Sequence, residues 1–266
     1  MLRSMNDLHG YAIQATDGGI GHVVDFYFDD AAWVVRYLVV DTGSWLQSRK
    51  VLISPISIGR PDWTEKVLPV SMTREQVRNS PDIDTDKPVS RQHEVEYLTY
   101  YNYPYYWGDT GLWGGEMYPN MMIPGRAGLA ASPRTLSVER KETQIQGLAT
   151  VRDAGDPHLR SCKAVTGYHI HAVDGDIGHV QGLLLDEDSW AIRYLVVDTS
   201  NWWLGHKVLI APQWIEAVSW PDSTVSVDMT RQAVQDAPPY DPAAQLDREQ
   251  EIGIYKSYGR AVYWTE

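Results

Sequence analysis

The chain has 266 residues and a formal net charge of −12 at pH 7. This length accommodates two domains, each large enough to bury its own core. The fractions of hydrophobic residues (43%) and charged residues (22%) are typical of a globular protein. Because the net charge opposes contact with nucleic-acid backbones and anionic lipid surfaces, we expect no nucleic-acid partner.

The sequence also limits the compartment and the chemistry. Its single cysteine, Cys162, excludes an intramolecular disulfide and a cysteine-based metal cluster. No positively charged leader followed by an apolar core opens the sequence. No apolar run approaches the roughly 20 residues that a membrane helix requires. We therefore expect a cytoplasmic protein with no membrane span.

Internal repetition is the dominant feature of the sequence. The segment Trp33–Thr42 (WVVRYLVVDT) returns as Trp190–Thr199 (WAIRYLVVDT), 157 positions later (190 − 33). The repeat extends over Leu2–Trp107 and Leu159–Trp264, and 42 of these 106 aligned positions are identical. Such a repeat indicates a duplicated domain. The predicted organisation is a first repeat at 1–107, a linker at 108–158 and a second repeat at 159–266, with short helices and an aromatic tail closing each repeat.

Within each repeat the pattern predicts short strands joined by tight turns. Asp17-Gly18-Gly19 is hairpin chemistry, because glycine accepts the positive φ of such turns. The strands predicted for the first repeat are Val23–Phe28, Trp33–Thr42, Lys50–Ile53 and Val67–Val70. Trp33–Thr42 is apolar on both faces, so we expect it to be covered on both sides. Strands at intervals of about ten residues favour a small antiparallel barrel or sandwich.

Capping signals predict two short helices after the strands of each repeat. Thr73 would cap 74–79 with Gln76 in a capping box, whereas Thr230 has Ala233 at the position of the box partner. The second helix would run from Ser90 to about Tyr100, and its counterpart would start at Asp247 with Gln250 three residues later. In the linker, we expect the aromatic part (108–128) to pack on a barrel surface and predict a strand near Leu136–Val138.

The order of these motifs resembles the PRC-barrel domain. Both repeats contain Gly-Tyr, then Asp-Gly-x-Ile-Gly-His-Val, then Arg-Tyr-Leu-Val-Val-Asp-Thr and Lys-Val-Leu-Ile-x-Pro, over residues 5–85 and 162–242. The resemblance implies a mainly β fold with two PRC-like antiparallel barrels in tandem, used for assembly or docking. The same barrel occurs in the photosynthetic reaction-centre H subunit and in ribosome maturation factors. The sequence does not predict the membrane helix of the former or the added domain of the latter, so neither role carries over whole.

Two histidines are the candidate ligands of a cleft between the barrels. His22 and His179 occupy equivalent positions after Ile-Gly. The alternative is that each satisfies local backbone groups at the exit of a hairpin, and this is favoured because no second ligand recurs at a metal-binding spacing. His169 and His171 could share one strand face, but two ligands are too few for a metal site. We expect no metal and no cofactor.

Enzymatic motifs are absent from the sequence. Asp17-Gly-Gly-Ile-Gly precedes a predicted strand, whereas a phosphate-binding loop opens a helix. Arg36 and Asp41, with Arg193 and Asp198 in the second repeat, would lie on opposite strand faces. We therefore expect Asp41 to cap the following turn and the stem of Arg36 to cover barrel surface. No catalytic residue is predicted, and the chain is interpreted as a non-enzyme.

Exposed aromatic residues are the strongest indication of an interaction. The candidate interaction surface consists of Trp45, Trp107, Trp113, Trp202 and Trp203, because tryptophan contributes strongly to protein interfaces. The alternative is that these aromatics join the barrels and the linker into one body. Base stacking on them is disfavoured by the acidic charge.

Together these features predict a non-catalytic interaction or scaffold protein with a protein partner. The duplication suggests an intramolecular pseudo-dimer in which each aromatic tail reaches across to the other barrel, and self-association of the chain stays open. A small-ligand or metal-binding protein that uses the cleft around His22 and His179 is the alternative. A second alternative, an accessory factor in RNA processing or photosynthetic-type electron-transfer assembly, rests on family analogy alone.

Overall fold

The structure is a computed structural model that describes residues 1–81, 89–123, 158–199 and 206–264. It is mainly β, with two sheets and few short helices, as the sequence predicts. The strands are β1 (Leu2–Ser4), β2 (Ala12–Ala15), β3 (Gly18–Asp29), β4 (Val34–Asp41), β5 (Lys50–Ile53), β6 (Val67–Pro69), β7 (Leu159–Ser161), β8 (His169–Ala172), β9 (Gly175–Asp186), β10 (Ile192–Asp198), β11 (Lys207–Ile210), β12 (Ile215–Ser219) and β13 (Thr224–Val227). The helices are α1 (Met5–Leu8), α2 (Arg74–Arg78), α3 (Arg91–Tyr100), α4 (Cys162–Val165), α5 (Arg231–Gln235) and α6 (Arg248–Ser257).

The chain divides into two compact units. The N-terminal unit comprises Asp7–Cys162 and Glu187–Ala191. The C-terminal unit comprises Met1–Asn6, Lys163–Asp186 and Ile192–Glu266. Neither unit coincides with one sequence repeat, because the first strand of each repeat belongs to the other unit.

The sheet of the N-terminal unit has the strand order β5-β4-β3-β2-β6, with β7 paired to β3. The sheet of the C-terminal unit has the order β11-β10-β9-β8-β13-β12, with β1 paired to β9. Neighbouring strands are antiparallel except β2 with β6 and β8 with β13, which are parallel. The antiparallel prediction missed these pairs, because hairpin signals report only pairing between strands that are close in sequence. Closure of either sheet into a barrel stays a prediction.

The repeated strand is β4 in the N-terminal unit and β10 in the C-terminal unit. All residues of β4 except Asp41 are buried, which confirms that the strand is covered on both faces. It begins at Val34, one residue later than predicted, since Trp33 has a positive φ of 54°. Trp190 has the same left-handed backbone with φ 59°. The two copies therefore repeat an uncommon backbone conformation as well as a sequence.

The predicted caps are present. Thr73 and Gln76 form a complete capping box at α2. The Thr230 side chain accepts only the backbone N–H of Ala233 at the equivalent helix α5. Ser90 caps α3, and Asp247 with Gln250 forms a second capping box at α6. These side chains satisfy backbone N–H groups that have no partner inside the helix.

The aromatic tails pack on the sheets of their own repeats. The Ser54 N–H donates to Tyr97 Oη over 3.0 Å, and the rings of Tyr97 and Tyr37 meet edge to face at 5.0 Å. In the second repeat, Tyr194 Oη donates to Glu251 of α6 over 2.9 Å. The prediction that each tail reaches across to the other barrel is therefore wrong. The exchanged elements are the short strands β1 and β7, whose three-residue length gives a weak sequence signal.

Within the described residues, no helix is both long enough and apolar enough to span a membrane.

Close approach of β3 to the end of β4 requires glycine at position 21. A Cβ atom on Gly21 would overlap the backbone carbonyl oxygen of Asp41, whereas a Cβ on Gly19 would meet nothing nearer than Gln14 Oε1 at 4.0 Å. We expect Gly21→Ala to lower the free energy of unfolding by about 1–3 kcal/mol, because fixed backbone must move. Urea denaturation followed by tryptophan fluorescence measures this change. Gly19→Ala is the matched control, and equal losses for both variants would contradict the close approach.

Candidate functional site

A groove of about 650 Å³ in the N-terminal unit is the candidate functional site. Three segments of chain supply its walls: a 3₁₀ turn with the loop that follows it, a second 3₁₀ turn in the unrepeated segment, and the connection between β9 and β10. The lining residues are Pro55, Ile58, Gly59, Arg60, Pro61, Tyr118, Pro119, Asn120, Met121, Glu187, Asp188 and Trp190.

The first wall follows strand β5. Ser54 follows the last residue of the strand, and its hydroxyl accepts the N–H of Ile56 to cap the 3₁₀ turn Pro55–Ser57. Pro55 fits the first position of this turn because the missing N–H would have no partner there. The Ser54 N–H donates to Tyr97 of α3. Hydrogen bonds from both the turn and the helix therefore fix this wall.

The second wall belongs to the unrepeated segment. Trp113 is 1% exposed, and its Nε1–H donates to the carbonyl oxygen of Ser189 over 2.8 Å. The 3₁₀ turn Pro119–Met121 follows it and carries Tyr118 and Met121 to the groove. This confirms, for residues 108–123, that the aromatic part of the linker packs on the folded unit. Residues 124–128 and the strand predicted at Leu136–Val138 lie outside the described residues.

Arg36 of β4 is the side chain on which the second wall rests. It is 3% exposed, and its Nη1 donates to the carbonyl oxygen of Leu112 over 2.5 Å. Its guanidinium lies 3.8 Å from the ring centre of Tyr106 and 4.8 Å from that of Trp113. Nη2 lies 3.3 Å from Asp29 Oδ2, so the buried cation has a counter-ion. The prediction that Arg36 covers surface is wrong, because the aromatic tail and the linker cover this face of the strand.

The rim of the groove is apolar and exposed. The exposed fractions are 40% for Tyr118 and 44% for Met121, and Met117, which precedes them in sequence, is 51% exposed. Glu187 and Asp188 supply carboxylates to the lining, and Arg60 supplies one guanidinium. The site therefore combines accessible apolar area with negative charge.

A buried carboxylate supports the tail behind this wall. Glu94 of α3 is 1% exposed, and its carboxylate accepts a hydrogen bond from the Tyr106 hydroxyl. Its Oε2 lies 2.8 Å from His158 Nε2 and 3.3 Å from Arg91 Nη1. Burial, together with the nearby Glu94 carboxylate, raises the pKa of Tyr106 well above its ordinary value, so the phenol stays a donor at neutral pH.

The C-terminal unit repeats this arrangement with less burial. Glu251 is 3% exposed and accepts from Tyr194 over 2.9 Å and from Tyr263 over 3.2 Å, with Arg248 at 3.0 Å. Burial and the Glu251 carboxylate raise the pKa of Tyr194. Arg193 lies 4.2 Å from the ring centre of Tyr263. An arginine–tyrosine–glutamate cluster is thus a structural feature of both repeats.

Two of the tryptophans predicted to form an interaction surface are buried. Trp107 is 8% exposed and Trp113 is 1% exposed, so both contribute to the interior of the N-terminal unit. Trp45 is half-buried, with its Nε1–H bonded to the carbonyl oxygen of Ile20 and its ring 4.4 Å from the Arg74 guanidinium. These rings are covered because arginine side chains stack on them. Trp202 and Trp203 lie outside the described residues.

The candidate histidines are not at the groove. His22 is exposed on β3, and His179 is partly exposed on β9, opposite His169 of β8. Nδ1 of His171 contacts the carboxylate of Asp176. In the described parts of the chain, no group of three or more histidine, cysteine or acidic side chains could hold a metal ion. Asp41 caps its turn as predicted, since its Oδ1 accepts the Gly43 N–H over 2.8 Å.

Sequence reasoning missed the groove because its walls come from three distant segments. Tyr118-Pro119 lies in the unrepeated segment, and Glu187-Asp188 lies in the second repeat. The sequence around each pair gives only local information. Neither motif reveals that the other is near. The hydrogen bond from Trp113 to Ser189 joins the two segments at one site.

Comparison with known families identifies a PRC-barrel domain at residues 3–63. This match confirms the resemblance for the first repeat and leaves a second PRC copy as a prediction. Comparison with curated proteins finds no match to the chain.

Substitution of Arg36 tests its role beneath the groove. We expect Arg36→Met to lower the free energy of unfolding by about 3–5 kcal/mol, because Asp29 would stay buried without its counter-ion. Chemical denaturation measures the loss, and the double variant Arg36→Met with Asp29→Asn should recover part of it. Arg193→Met, at the less buried equivalent position, is the matched control. A loss for Arg36→Met of less than about 1 kcal/mol, the value of a surface ion pair, would contradict this role.

Proposed function

We propose that this chain is a non-catalytic interaction protein and that the groove of the N-terminal unit is the docking site for a partner protein. The PRC-barrel domain at residues 3–63 supports this assignment, because such a domain suggests an interaction module. The observation that carries the proposal is the exposure of Tyr118 and Met121 in the lining of a groove of about 650 Å³, with the exposed Met117 next to them in sequence. Clustered exposed apolar side chains with a polar border are typical of protein-binding surfaces.

The side chains that line the groove indicate which kind of partner would bind there. Pro55, Pro61 and Pro119 give the lining a fixed shape, and Tyr118 offers a rigid amphipathic ring for contact. Glu187 and Asp188 add negative charge within a chain of net charge −12. The complementary ligand is an extended apolar segment that carries an arginine or lysine side chain.

The lining also supports binding over catalysis. The described residues that line the groove include no serine, cysteine or histidine. The nearby titratable side chains of Glu94, Tyr106 and His158 contact one another and stabilise the tail. The proposal therefore assigns no reaction to the site.

The proposal includes the second repeat as a second PRC-like domain. Its sequence identity with the first repeat, at 42 of 106 positions, and the matching order of its first strands support a second PRC-like domain. The chain would then be the single-chain equivalent of a dimer, and we propose the cytoplasm as its place of action.

Two matched peptides test the docking site. One is a ten-residue extended peptide of leucine and proline with two arginines, and the other has glutamate in place of both arginines. We expect the arginine peptide to bind at least about tenfold more tightly, which corresponds to about 1.4 kcal/mol of charge preference. Titration calorimetry with the full chain measures both affinities.

Variants of the full chain separate the apolar and the charged contributions. Tyr118→Ser should weaken binding of the arginine peptide, and Asp188→Lys should shift the preference towards the glutamate peptide. Val173→Ser is the control, because Val173 is 62% exposed but lies in the C-terminal unit. Equal affinity for the two peptides, or equal effects of Tyr118→Ser and Val173→Ser, would refute the proposed site.

A further inference from the structure

The longest strand of each sheet has one edge that its own repeat covers only in part. Strand β2 pairs with Gly18–His22 of β3, and β4 pairs along the opposite edge up to Asp29. The last residues, Tyr27–Asp29, pair with β7 instead. All three are buried, at 6%, 0% and 7% exposure, so unpaired backbone groups there would be costly.

The C-terminal unit has the same arrangement. Strand β8 pairs with Gly175–His179 of β9, and Leu184–Asp186 pairs with β1. The registers are equivalent, since Leu159 lies opposite Asp29 and Leu2 lies opposite Asp186, 157 positions later. Each acceptor edge, Tyr27–Asp29 or Leu184–Asp186, therefore receives the tripeptide Leu-Arg-Ser from the start of the other repeat.

At the edge Tyr27–Asp29, side chains as well as backbone pairing hold the tripeptide Leu159–Ser161. Leu159 is 2% exposed, and Arg160 Nε lies 2.8 Å from Asp30 Oδ2. The Ser161 hydroxyl donates to Asp25 Oδ2 over 2.5 Å, and the Asp30 N–H donates to the carbonyl oxygen of His158 over 3.0 Å. One apolar contact, one ion pair and one side-chain hydrogen bond thus recognise the three residues in order.

The match to the PRC-barrel domain begins at residue 3, so β1 is part of the first repeat in the sequence. Its backbone nevertheless pairs with β9 of the second repeat. A strand that completes a sheet built by another repeat does not have to come from the same chain, because the edge recognises the tripeptide and not its covalent connection.

We propose that each acceptor edge is a docking site for the Leu-Arg-Ser strand of a second copy of this chain. Docking between copies competes with docking within one chain, where the covalent connection keeps the strand near its edge. The yield of the strand-exchanged dimer therefore rises with the concentration at which chains refold together.

Disulfide trapping in the full chain tests this docking. Two single variants, Leu2→Cys and Asp186→Cys, place thiols on residues that lie opposite each other in the β1–β9 pair. They are unfolded in urea, mixed, refolded together at rising concentration and then oxidised. The native Cys162 is buried, and burial raises the pKa of its thiol, so it reacts little in folded chains.

The expected result is a covalent dimer of one Leu2→Cys chain and one Asp186→Cys chain, whose yield rises several-fold with concentration. The control mixture pairs Leu2→Cys with Val173→Cys, whose site is highly exposed and reports random collisions. The double variant Leu2→Cys with Asp186→Cys, refolded when dilute, should form the disulfide within one chain. A mixed-dimer yield no higher than that of the control at every concentration would overturn the proposal, as would a double variant that does not cross-link.

Discussion

Backbone pairing along β3 and β9 is the constraint on which the rest of the structure depends. Each strand has twelve residues, and its hairpin partner covers only the first part of one edge. Buried N–H and C=O groups at the far end require hydrogen-bond partners. The tripeptides Leu2–Ser4 and Leu159–Ser161 provide them, each on the sheet of the other repeat. Neither sheet is complete with the residues of one repeat alone, so each repeat depends on a strand from another repeat.

The groove depends on a second buried interaction. Arg36 would be an isolated charge in the interior without Asp29, Tyr106 and Trp113 around it. The same guanidinium holds the carbonyl oxygen of Leu112, and this contact sets the path of the segment that carries Tyr118 to the rim. The second repeat has the equivalent Arg193, but the unrepeated segment follows only the first repeat. This difference explains why the N-terminal unit presents an apolar rim beside a carboxylate pair, which is where we propose that a partner docks.

Local features of the fold could be predicted from the sequence, and contacts between distant segments could not. Lys50–Ile53 forms a strand with the predicted limits, and Ser90 caps the helix that ends at Tyr100, because strand pattern and capping chemistry act over a few residues. The exchange of β1 and β7 was missed, since a three-residue strand has too few positions for a pattern. Arg36 was misjudged for another reason: an arginine in a strand is ordinarily at the surface, and only the position of Trp113 reveals that this one is covered.

Hydrogen exchange tests the central claim, that each sheet is completed by the strand of the other repeat, most directly. Backbone amide exchange is compared between the full chain and a chain from which Leu2, Arg3 and Ser4 have been removed. The account predicts faster exchange at Leu184–Asp186, which lose the strand paired along one edge, with protection at Tyr27–Asp29 unchanged because β7 remains. Unchanged protection at Leu184–Asp186, or faster exchange confined to the first repeat, would contradict it.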